Sequence, residues 1–231
     1  MSDVANSTEC EDHEIDFGSP QWQEAVSQNL GLAPFFANLE SFVELPEGVE
    51  KLRELFLDLA IRGRLVSQNP SEGDGSSLLT EVAEDRVEYL KSRGLKKSKS
   101  LKPPSPDAFQ VPANWGLTHL DNLAYQVHYG YTASADQNLR DVRMLRITDI
   151  QNNMVNWETV PGCEIDEDKV AQYELSDNDL LIARTGGTIG KTYLINDVSV
   201  RSVFASYLIR VIPSQLLCAE YLKRYLSLIH I

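Results

Sequence analysis

Three prolines, at positions 103, 104 and 106, divide the chain into two differently patterned parts. A proline removes a backbone donor and clashes with the preceding helical turn, so a helix stops at such a cluster. Before the cluster, apolar residues recur at helical spacing, whereas after residue 110 they fall in short runs rich in β-branched residues. The sequence therefore predicts an α+β chain, in which amphipathic helices precede a twisted β-sheet with flanking helices.

The helical pattern is clearest directly after Pro46. A set of apolar residues recurs there at helical spacing: Val49, Leu52, Leu55, Phe56, Leu59 and Ala60. Gly63 suits the left-handed conformation at a helix end, and we predict a helix over residues 49–66. A second amphipathic helix is predicted over residues 76–93, after the turn-rich segment NPSEGDGSS. We expect both helices to pack outside the domain that follows.

Composition divides the chain into five segments. Residues 1–45 are acidic with few large apolar groups, and we expect them to be largely disordered. Residues 46–95 form the helical segment, and residues 96–109 are a basic, proline-rich linker. Residues 110–225 are expected to form one α+β domain. The last residues, 226–231, are similar to translated adapter DNA from sequencing libraries, and we expect them to be a non-native tail.

The net charge of −13 constrains any partner of the chain. Up to Asp58 the chain holds thirteen acidic residues against Lys51 and Arg53, so the remainder is close to neutral. An acidic chain argues against simple nucleic-acid binding, because phosphate contacts require lysine and arginine. A DNA-binding surface on this chain would have to be formed by local groups of donors.

The sequence offers little support for catalysis or metal binding. The three cysteines are widely separated without a CxxC pair, and the four histidines are scattered without an HExxH or Ser/His/Asp arrangement. No stretch approaches the ~20 apolar residues that span a bilayer, and no basic flank with an apolar run marks a secretory leader. We therefore expect a cytoplasmic, non-catalytic protein that does not enter membranes.

The most informative peptide is DLLIARTGGTIGKT, residues 179–192, in which an apolar run leads into a glycine-rich turn between Arg184 and Lys191. Glycines permit close backbone approach, and hydroxyls and cations supply donors, which together suit a phosphate. A P-loop would need glycine where Thr185 stands, and a helix where residues 193–195 favour a strand. A nucleotide site and a plain glycine-rich hairpin both stay open.

Two further peptides offer polar side chains. YGYTAS, residues 129–134, is a loop with aromatic and hydroxyl groups. LRITDI, residues 145–150, alternates so that Arg146 and Thr148 would share one face of a strand. Taken alone, either peptide could form an inert surface.

Taken together, these peptides resemble the specificity subunits of type I restriction-modification systems over residues 45–225. VPANWGLTHLDNLA (111–124) looks like the entry to a target recognition domain, usually of the form LPxGWxxxxLGDIA. The three peptides described above follow in the family's order and at its spacing, and KLRELFLDLAIRGRLVSQNP is similar to the family's spacer helix. Asn114 and Asn122 depart from the usual glycines.

The resemblance implies a DNA target recognition domain over residues 110–225 and a spacer over residues 46–95 on which methyltransferase subunits dock. In that family, two recognition domains each read one half of a split target in double-stranded DNA. This chain contains one such domain, so it resembles an N-terminal fragment. The assembled complex would be an adenine-N6 DNA methyltransferase and an ATP-dependent endonuclease, with restriction or translocase subunits as further partners. S-adenosylmethionine, ATP and Mg²⁺ would be bound by partner subunits, and this chain is expected to bind no cofactor.

Two sets of residues are predicted to carry these functions. The DNA-binding surface is predicted to comprise Tyr131, Thr132, Arg146, Thr148, Arg184, Thr185, Gly186, Gly187 and Lys191. The partner-binding face of the first helix is predicted to comprise Leu52, Leu55, Phe56 and Leu59. Two rival functions stay open: a nucleotide-binding enzyme that uses the loop 185–192, and a protein-interaction module.

Overall fold

The computed structural model describes residues 46–96, 101, 104–105 and 111–228. The predictions for the acidic segment 1–45, for most of the linker and for residues 229–231 lie outside these ranges. The described residues form two compact units, and the boundary between them falls at residues 80 and 81. The smaller unit comprises residues 46–80 with 104–105 and 111–117, and the larger comprises residues 81–96 with 101 and 118–228.

Helix α1, Gly48–Ile61, lies in the smaller unit. It ends because Gly63 adopts a left-handed conformation, with φ of 62°. The amide of Gly63 donates to Ala60 O over 3.0 Å and that of Arg64 donates to Leu59 O over 2.8 Å, which is the Schellman arrangement. The helix therefore stops at Ile61, and the predicted continuation to residue 66 is wrong.

Helix α2, Gly75–Ser92, ends in the same way. Gly94 has φ of 64°, and the amide of Leu95 donates to Leu90 O over 2.8 Å. The bounds of α2 differ by one residue at each end from the predicted helix 76–93.

The segment 111–117 packs within the smaller unit. Trp115 Nε1 donates to Gln68 Oε1 over 2.7 Å, and the side-chain amide of Gln68 donates in turn to Gly63 O over 2.9 Å. The amide of Gly75 donates to Asn114 O over 2.8 Å. These bonds attach the segment that contains Trp115 to the loop between α1 and α2 and to the first residue of α2.

The larger unit is built on a four-stranded antiparallel sheet. Its strands are β1 (Ala124–Tyr129), β5 (Leu180–Ala183), β6 (Thr192–Leu194) and β8 (Leu208–Pro213), in the order β1-β8-β5-β6. Strands β2 (Arg143–Leu145) and β7 (Ser202–Phe204) pair in parallel, and β3 (Ile150–Gln151) and β4 (Met154–Val155) form a short hairpin. The other helices of this unit are α3 (Leu120–Leu123), α4 (Glu167–Tyr173) and α5 (Ala219–Leu228).

The two faces of the four-stranded sheet bury different cores. Leu180 and Val211 point toward α5, where they pack with Leu222 and Leu226. Residues one position along, such as Leu181, face the opposite core, which also contains residues of β2 and β7. Successive side chains of β5 point to opposite faces, and both faces are buried. Every residue of β5 is therefore apolar, which explains the continuous apolar run before the glycines. The prediction of an α+β fold is confirmed.

A buried ion pair joins the start of β5 to β8. Arg210 Nη2 lies 2.5 Å from Asp179 Oδ2, and the two side chains are 6% and 2% exposed. Burial raises the pKa of Asp179, while Arg210 and the amide of Ser176 oppose that rise. Removing either charge would leave the other buried and unpaired, which is destabilising. The pair therefore favours the arrangement in which β5 lies beside β8.

No helix within the described ranges is long and apolar enough to cross a membrane.

Candidate nucleic-acid interface

The three peptides singled out in the sequence border one turn, Ala205–Tyr207, which connects β7 to β8. From the first peptide, Tyr131 forms a bridge with Ala205, and its amide donates over 2.8 Å to the oxygen of Phe204, the residue before the turn. From the second, Leu145 O accepts the amide of Ala205 over 3.0 Å. From the third, the amide of Arg184 donates to Tyr207 O over 3.1 Å. We call Ala205–Tyr207 the central turn.

The first peptide approaches the central turn through Gly130. A Cβ placed on this glycine would lie 2.3 Å from the carbonyl oxygens of both Phe204 and Ala205. Beyond it, Tyr131 is half-buried, with its ring centroid 5.4 Å from that of Tyr173, and Thr132 is exposed. Close contact between two backbones thus fixes where this loop leaves the sheet.

The second peptide leaves strand β2 after Leu145 and is extended again only at Ile150 in β3, so the predicted strand face shared by Arg146 and Thr148 is wrong. Residues Ile147–Asp149 form a 3₁₀ turn, because the Asp149 carboxylate accepts the backbone amide of Arg146 over 2.9 Å. The same carboxylate binds the guanidinium through Nε at 3.0 Å and Nη2 at 2.7 Å. These hydrogen bonds raise the pKa of Arg146. Thr148 is exposed, and its carbonyl accepts Gln151 Nε2 over 3.0 Å.

The third peptide forms a hairpin between antiparallel β5 and β6. Gly190 N donates to Ala183 O over 2.8 Å and Ala183 N to Lys191 O over 2.9 Å, which closes the hairpin. Gly186 and Gly190 both have φ of 84°, a conformation that suits glycine. Residues Arg184, Thr185, Gly186 and Gly187 are exposed, and a Cβ on Gly187 would contact nothing within 4 Å. The hairpin tip therefore offers hydroxyls and backbone to a partner.

Lys191 stands at the far end of this hairpin. The residue is exposed, and its Nζ lies 3.3 Å from Ile150 O, a carbonyl that directly follows the 3₁₀ turn. The lysine thus links the third peptide to the second while keeping most of its charge in solvent.

The predicted DNA-binding surface does not include Tyr129. It is 57% exposed, whereas the neighbouring Tyr131, which was selected, is half-buried. The Arg184 guanidinium lies over its ring, with Cζ 4.4 Å from the centroid. The two residues are 55 positions apart, and only the strand order brings them together. The signal available in the sequence is an aromatic residue beside a glycine in the loop peptide 129–134.

A shallow groove adjoins the hairpin on the side of α5. It is lined by Thr188–Thr192 and Ser227, and the hydroxyls of Thr192 and Ser227 are hydrogen-bonded to each other. Tyr193 and Leu194 lie in strand β6, as predicted, rather than in the helix that a P-loop requires. Across the part of the chain that the structure describes, no group of three or more His, Cys, Asp or Glu side chains is placed to hold a metal ion.

Comparison with known proteins identifies two relatives of the same kind. The chain is 30% identical over 141 residues, 58% of its length, to the type I restriction enzyme EcoAI specificity subunit of Escherichia coli. It is 25% identical over 191 residues, 78% of its length, to the EcoEI specificity subunit of the same organism. The chain is therefore similar to part of two type I restriction enzyme specificity subunits. The matches cover 23% and 31% of those relatives, so the chain spans about a quarter to a third of their length. No protein-family model matches the chain.

The exposure of the predicted apolar face of the spacer-like helix α1 differs along its length. Leu52 is buried, at 9% exposure, whereas Leu55 is 36% exposed. Phe56 and Leu59 are half-buried. Leu55 is therefore the most accessible of the four residues.

Proposed function

We propose that this chain is a non-catalytic, sequence-specific DNA-binding subunit of a type I restriction-modification complex, and that its larger unit reads one half of a bipartite target. The observation that carries the proposal is the meeting of three donor-bearing peptides at the central turn. A reader of base edges needs several loops on one side of a domain, since each base pair presents its donors and acceptors in a groove. Homology to specificity subunits supplies the biological setting.

The chemistry of the hairpin supports contact with DNA. Exposed Arg184 and Lys191 supply positive charge, and Thr185 supplies a hydroxyl that hydrogen-bonds phosphates or bases. Glycines at the tip admit close approach of backbone to a groove. These groups are concentrated on one hairpin of a chain whose net charge is −13, so local donors rather than overall charge would hold the DNA.

The other assignments follow from membership of such a complex. Residues 46–95 would be the spacer on which modification subunits dock, with Leu52, Leu55, Phe56 and Leu59 at the contact, and residues 110–225 the recognition domain. Restriction subunits would join the same assembly, in the cytoplasm. S-adenosylmethionine, ATP and Mg²⁺ would be bound by those partners, which would methylate adenine N6 and cleave DNA.

Selection from a randomised duplex library tests the proposal. The full chain is incubated with duplexes that carry a random central segment, and the bound duplexes are recovered and sequenced. We expect enrichment of one short motif. The combined variant Arg184→Ala, Thr185→Ala and Lys191→Ala should abolish enrichment, whereas a control with Lys51→Ala and Arg53→Ala, two exposed residues of α1, should retain it.

Two outcomes would favour the rival functions. Binding of radiolabelled ATP by the chain, without motif enrichment, would indicate a nucleotide-binding enzyme that uses the loop 185–192. Capture of a protein by the larger unit in nuclease-treated extract, again without enrichment, would indicate a protein-interaction module.

A further inference from the structure

Tyr129 and Arg184 meet because of the strand order of the four-stranded sheet. Both β1 and β5 run antiparallel to β8, which lies between them. They are therefore parallel to each other, and their carboxyl ends lie at the same end of the sheet. Tyr129 of β1 and Ile182 of β5 are both paired with Ile209 of β8, which places them on one face. Arg184 lies two residues beyond Ile182, and its guanidinium reaches back over the Tyr129 ring at 4.4 Å.

The guanidinium of Arg184 is available to a ligand. Both partners of this contact are exposed, and in the described part of the chain no carboxylate forms an ion pair with Arg184. Arg146, the other arginine predicted to face DNA, donates one hydrogen from Nε and one from Nη2 to Asp149. An arginine needs two parallel free donors to bind guanine O6 and N7 together. Arg184 is exposed and leaves every edge of its guanidinium free, whereas the Arg146 side chain is 31% exposed and is held by Asp149, which leaves only its Nη1 and Nη2 edge.

The aromatic ring gives the free guanidinium a defined orientation. A long exposed side chain that binds loses rotamer freedom, and a surface that orients it beforehand reduces that loss. Cation–π attraction holds the guanidinium against the ring while its N–H edge remains open to solvent. A phenylalanine ring would serve the same purpose, whereas an aliphatic side chain would not.

We infer that Arg184, oriented by stacking on Tyr129, reads a guanine of the half-site, while Arg146 binds Asp149 and shapes the 3₁₀ turn. This inference rests on the proposed DNA-reading function and deepens it. Arg184 contacts the base, and Tyr129 acts through Arg184 as a positioning residue. Discrimination by one bidentate arginine corresponds to roughly five- to hundredfold preference for the correct base.

The test compares base preferences of single variants in the randomised library. Four changes are made in the full chain: Arg184→Lys, Tyr129→Leu, Tyr129→Phe and Arg140→Lys. Lysine keeps the charge but loses the two-donor edge, so Arg184→Lys should lose roughly five- to hundredfold of the preference for guanine at one position and keep the rest of the motif. Tyr129→Leu should weaken preference at that same position, and Tyr129→Phe should restore it. Arg140 is an exposed arginine of the same unit, and Arg140→Lys should leave the motif unchanged.

The outcomes separate this inference from the proposed function. If the unaltered chain enriches a motif and Arg184→Lys retains every base preference, the inference is wrong while DNA reading stands. If Arg184→Lys loses one position but Tyr129→Phe behaves like Tyr129→Leu, stacking does not orient the arginine. If the unaltered chain enriches no motif, the proposed function and the inference fall together.

Discussion

At the scale of single residues, Gly130 fixes how the first DNA-facing loop leaves β1. Its Cα passes so close to the central turn that a Cβ would overlap two carbonyl oxygens at 2.3 Å. Both oxygens belong to backbone, so relief requires movement of the loop or of the turn. We expect Gly130→Ala to lower the free energy of unfolding by about 1–3 kcal/mol, the usual cost of overpacking. Urea denaturation of the unaltered chain and of Gly130→Ala measures this difference in the free energy of unfolding.

Gly187 provides the matched control for this change. Its Cβ would meet nothing within 4 Å, and its φ is not in the left-handed region. Gly187→Ala should leave stability unchanged or raise it by about 0.4–1 kcal/mol, because alanine restricts the unfolded chain. Equal effects at the two glycines would show that close approach at Gly130 is unimportant.

His128 predicts a dependence of stability on pH. Burial lowers the pKa of this histidine, and Arg210, opposite it across β1 and β8, adds to the effect. In the unfolded chain a histidine binds a proton below its ordinary pKa of about 6.5, whereas in the fold it stays neutral to lower pH. The contribution of neutral, buried His128 to the free energy of unfolding is therefore fully present above pH ~6.5. It is lost as the pH decreases toward the pKa of His128 in the folded chain.

Replacement by phenylalanine isolates this contribution. His128 has Phe204 and Tyr173 as ring neighbours, with centroids 5.6 and 6.1 Å away, so an aromatic substitute suits the site. Between pH 7.5 and 5.5, the free energy of unfolding should fall more for the unaltered chain than for His128→Phe. Parallel curves in urea denaturation would contradict the assignment of the slope to His128.

At the scale of elements, a hydrogen-bonded cluster attaches the second half of α2 to the sheet within the larger unit. Tyr125 Oη donates to Asp85 Oδ2 over 2.6 Å and accepts the amide of Gln215 over 3.1 Å. Ser214 Oγ donates to the same carboxylate oxygen over 2.5 Å. Tyr89 stacks on Tyr125 with ring centroids 3.9 Å apart. The helix is thereby fixed to β1 and to the end of β8.

Removing one hydroxyl from this cluster should be costly. Tyr125→Phe leaves the Asp85 carboxylate and the Gln215 amide each short of a partner, and we expect the free energy of unfolding to fall by about 1–3 kcal/mol. Tyr221→Phe removes the hydroxyl of a residue that is 45% exposed and should change stability much less. Chemical denaturation of both variants would decide, and similar losses would mean that the cluster is weak.

The elements whose signals are local were predictable from sequence. Apolar spacing predicts α1 and α2, and the apolar run before the glycines and the β-favouring residues 193–195 after them indicate β5 and β6. The end of α1 was misplaced because Leu65 and Val66 continue the apolar pattern after Gly63 has already ended the helix. The 3₁₀ turn after β2 was missed because the Asp149 carboxylate, and not the alternation of side chains, decides the backbone there.

Pairings over long distances were not predictable. The three-residue strands β2 and β7 carry no sequence pattern that indicates a parallel pair. The strand order β1-β8-β5-β6 follows from tertiary packing and not from local sequence. For the same reason the contact between Tyr129 and Arg184 could not be foreseen, although both residues lay in peptides that had been singled out.

At the scale of the whole molecule, the spacer-like helix α1 is expected to bind a modification subunit through its apolar face. Leu55→Asp places a charge on the most exposed of the four predicted contact residues, and charged groups disfavour the core of an interface. Copurification with a tagged modification subunit should fall at least tenfold, or about 1.4 kcal/mol. Met154→Asp alters a 67% exposed apolar residue of β4, outside the docking segment 46–95, and should have no such effect. Equal retention of both variants would place the docking surface elsewhere.

The net charge of −13 makes the salt dependence of DNA binding a sensitive test of local contacts. Each phosphate neutralised by lysine or arginine contributes about 0.9 to the slope of log K against log salt concentration. An acidic chain that binds through few cations should show a shallow slope, in which the loss of a single contact is visible. Lys191, exposed at the end of the hairpin, is the residue best placed to contribute one contact without reading a base.

We therefore expect Lys191→Ala to weaken binding to all duplexes alike and to reduce the slope by about one unit, while the preferred motif stays the same. The measurement is a fluorescence-anisotropy titration at several salt concentrations, with the enriched duplex and a scrambled duplex of equal length. Lys51→Ala removes an exposed lysine of α1 and should leave the slope unchanged. A phosphate contact and a base contact differ in this respect, because loss of the first changes affinity for both duplexes and loss of the second changes their ratio. A changed ratio in Lys191→Ala would reassign this lysine to base reading, and an unchanged slope would remove it from the interface.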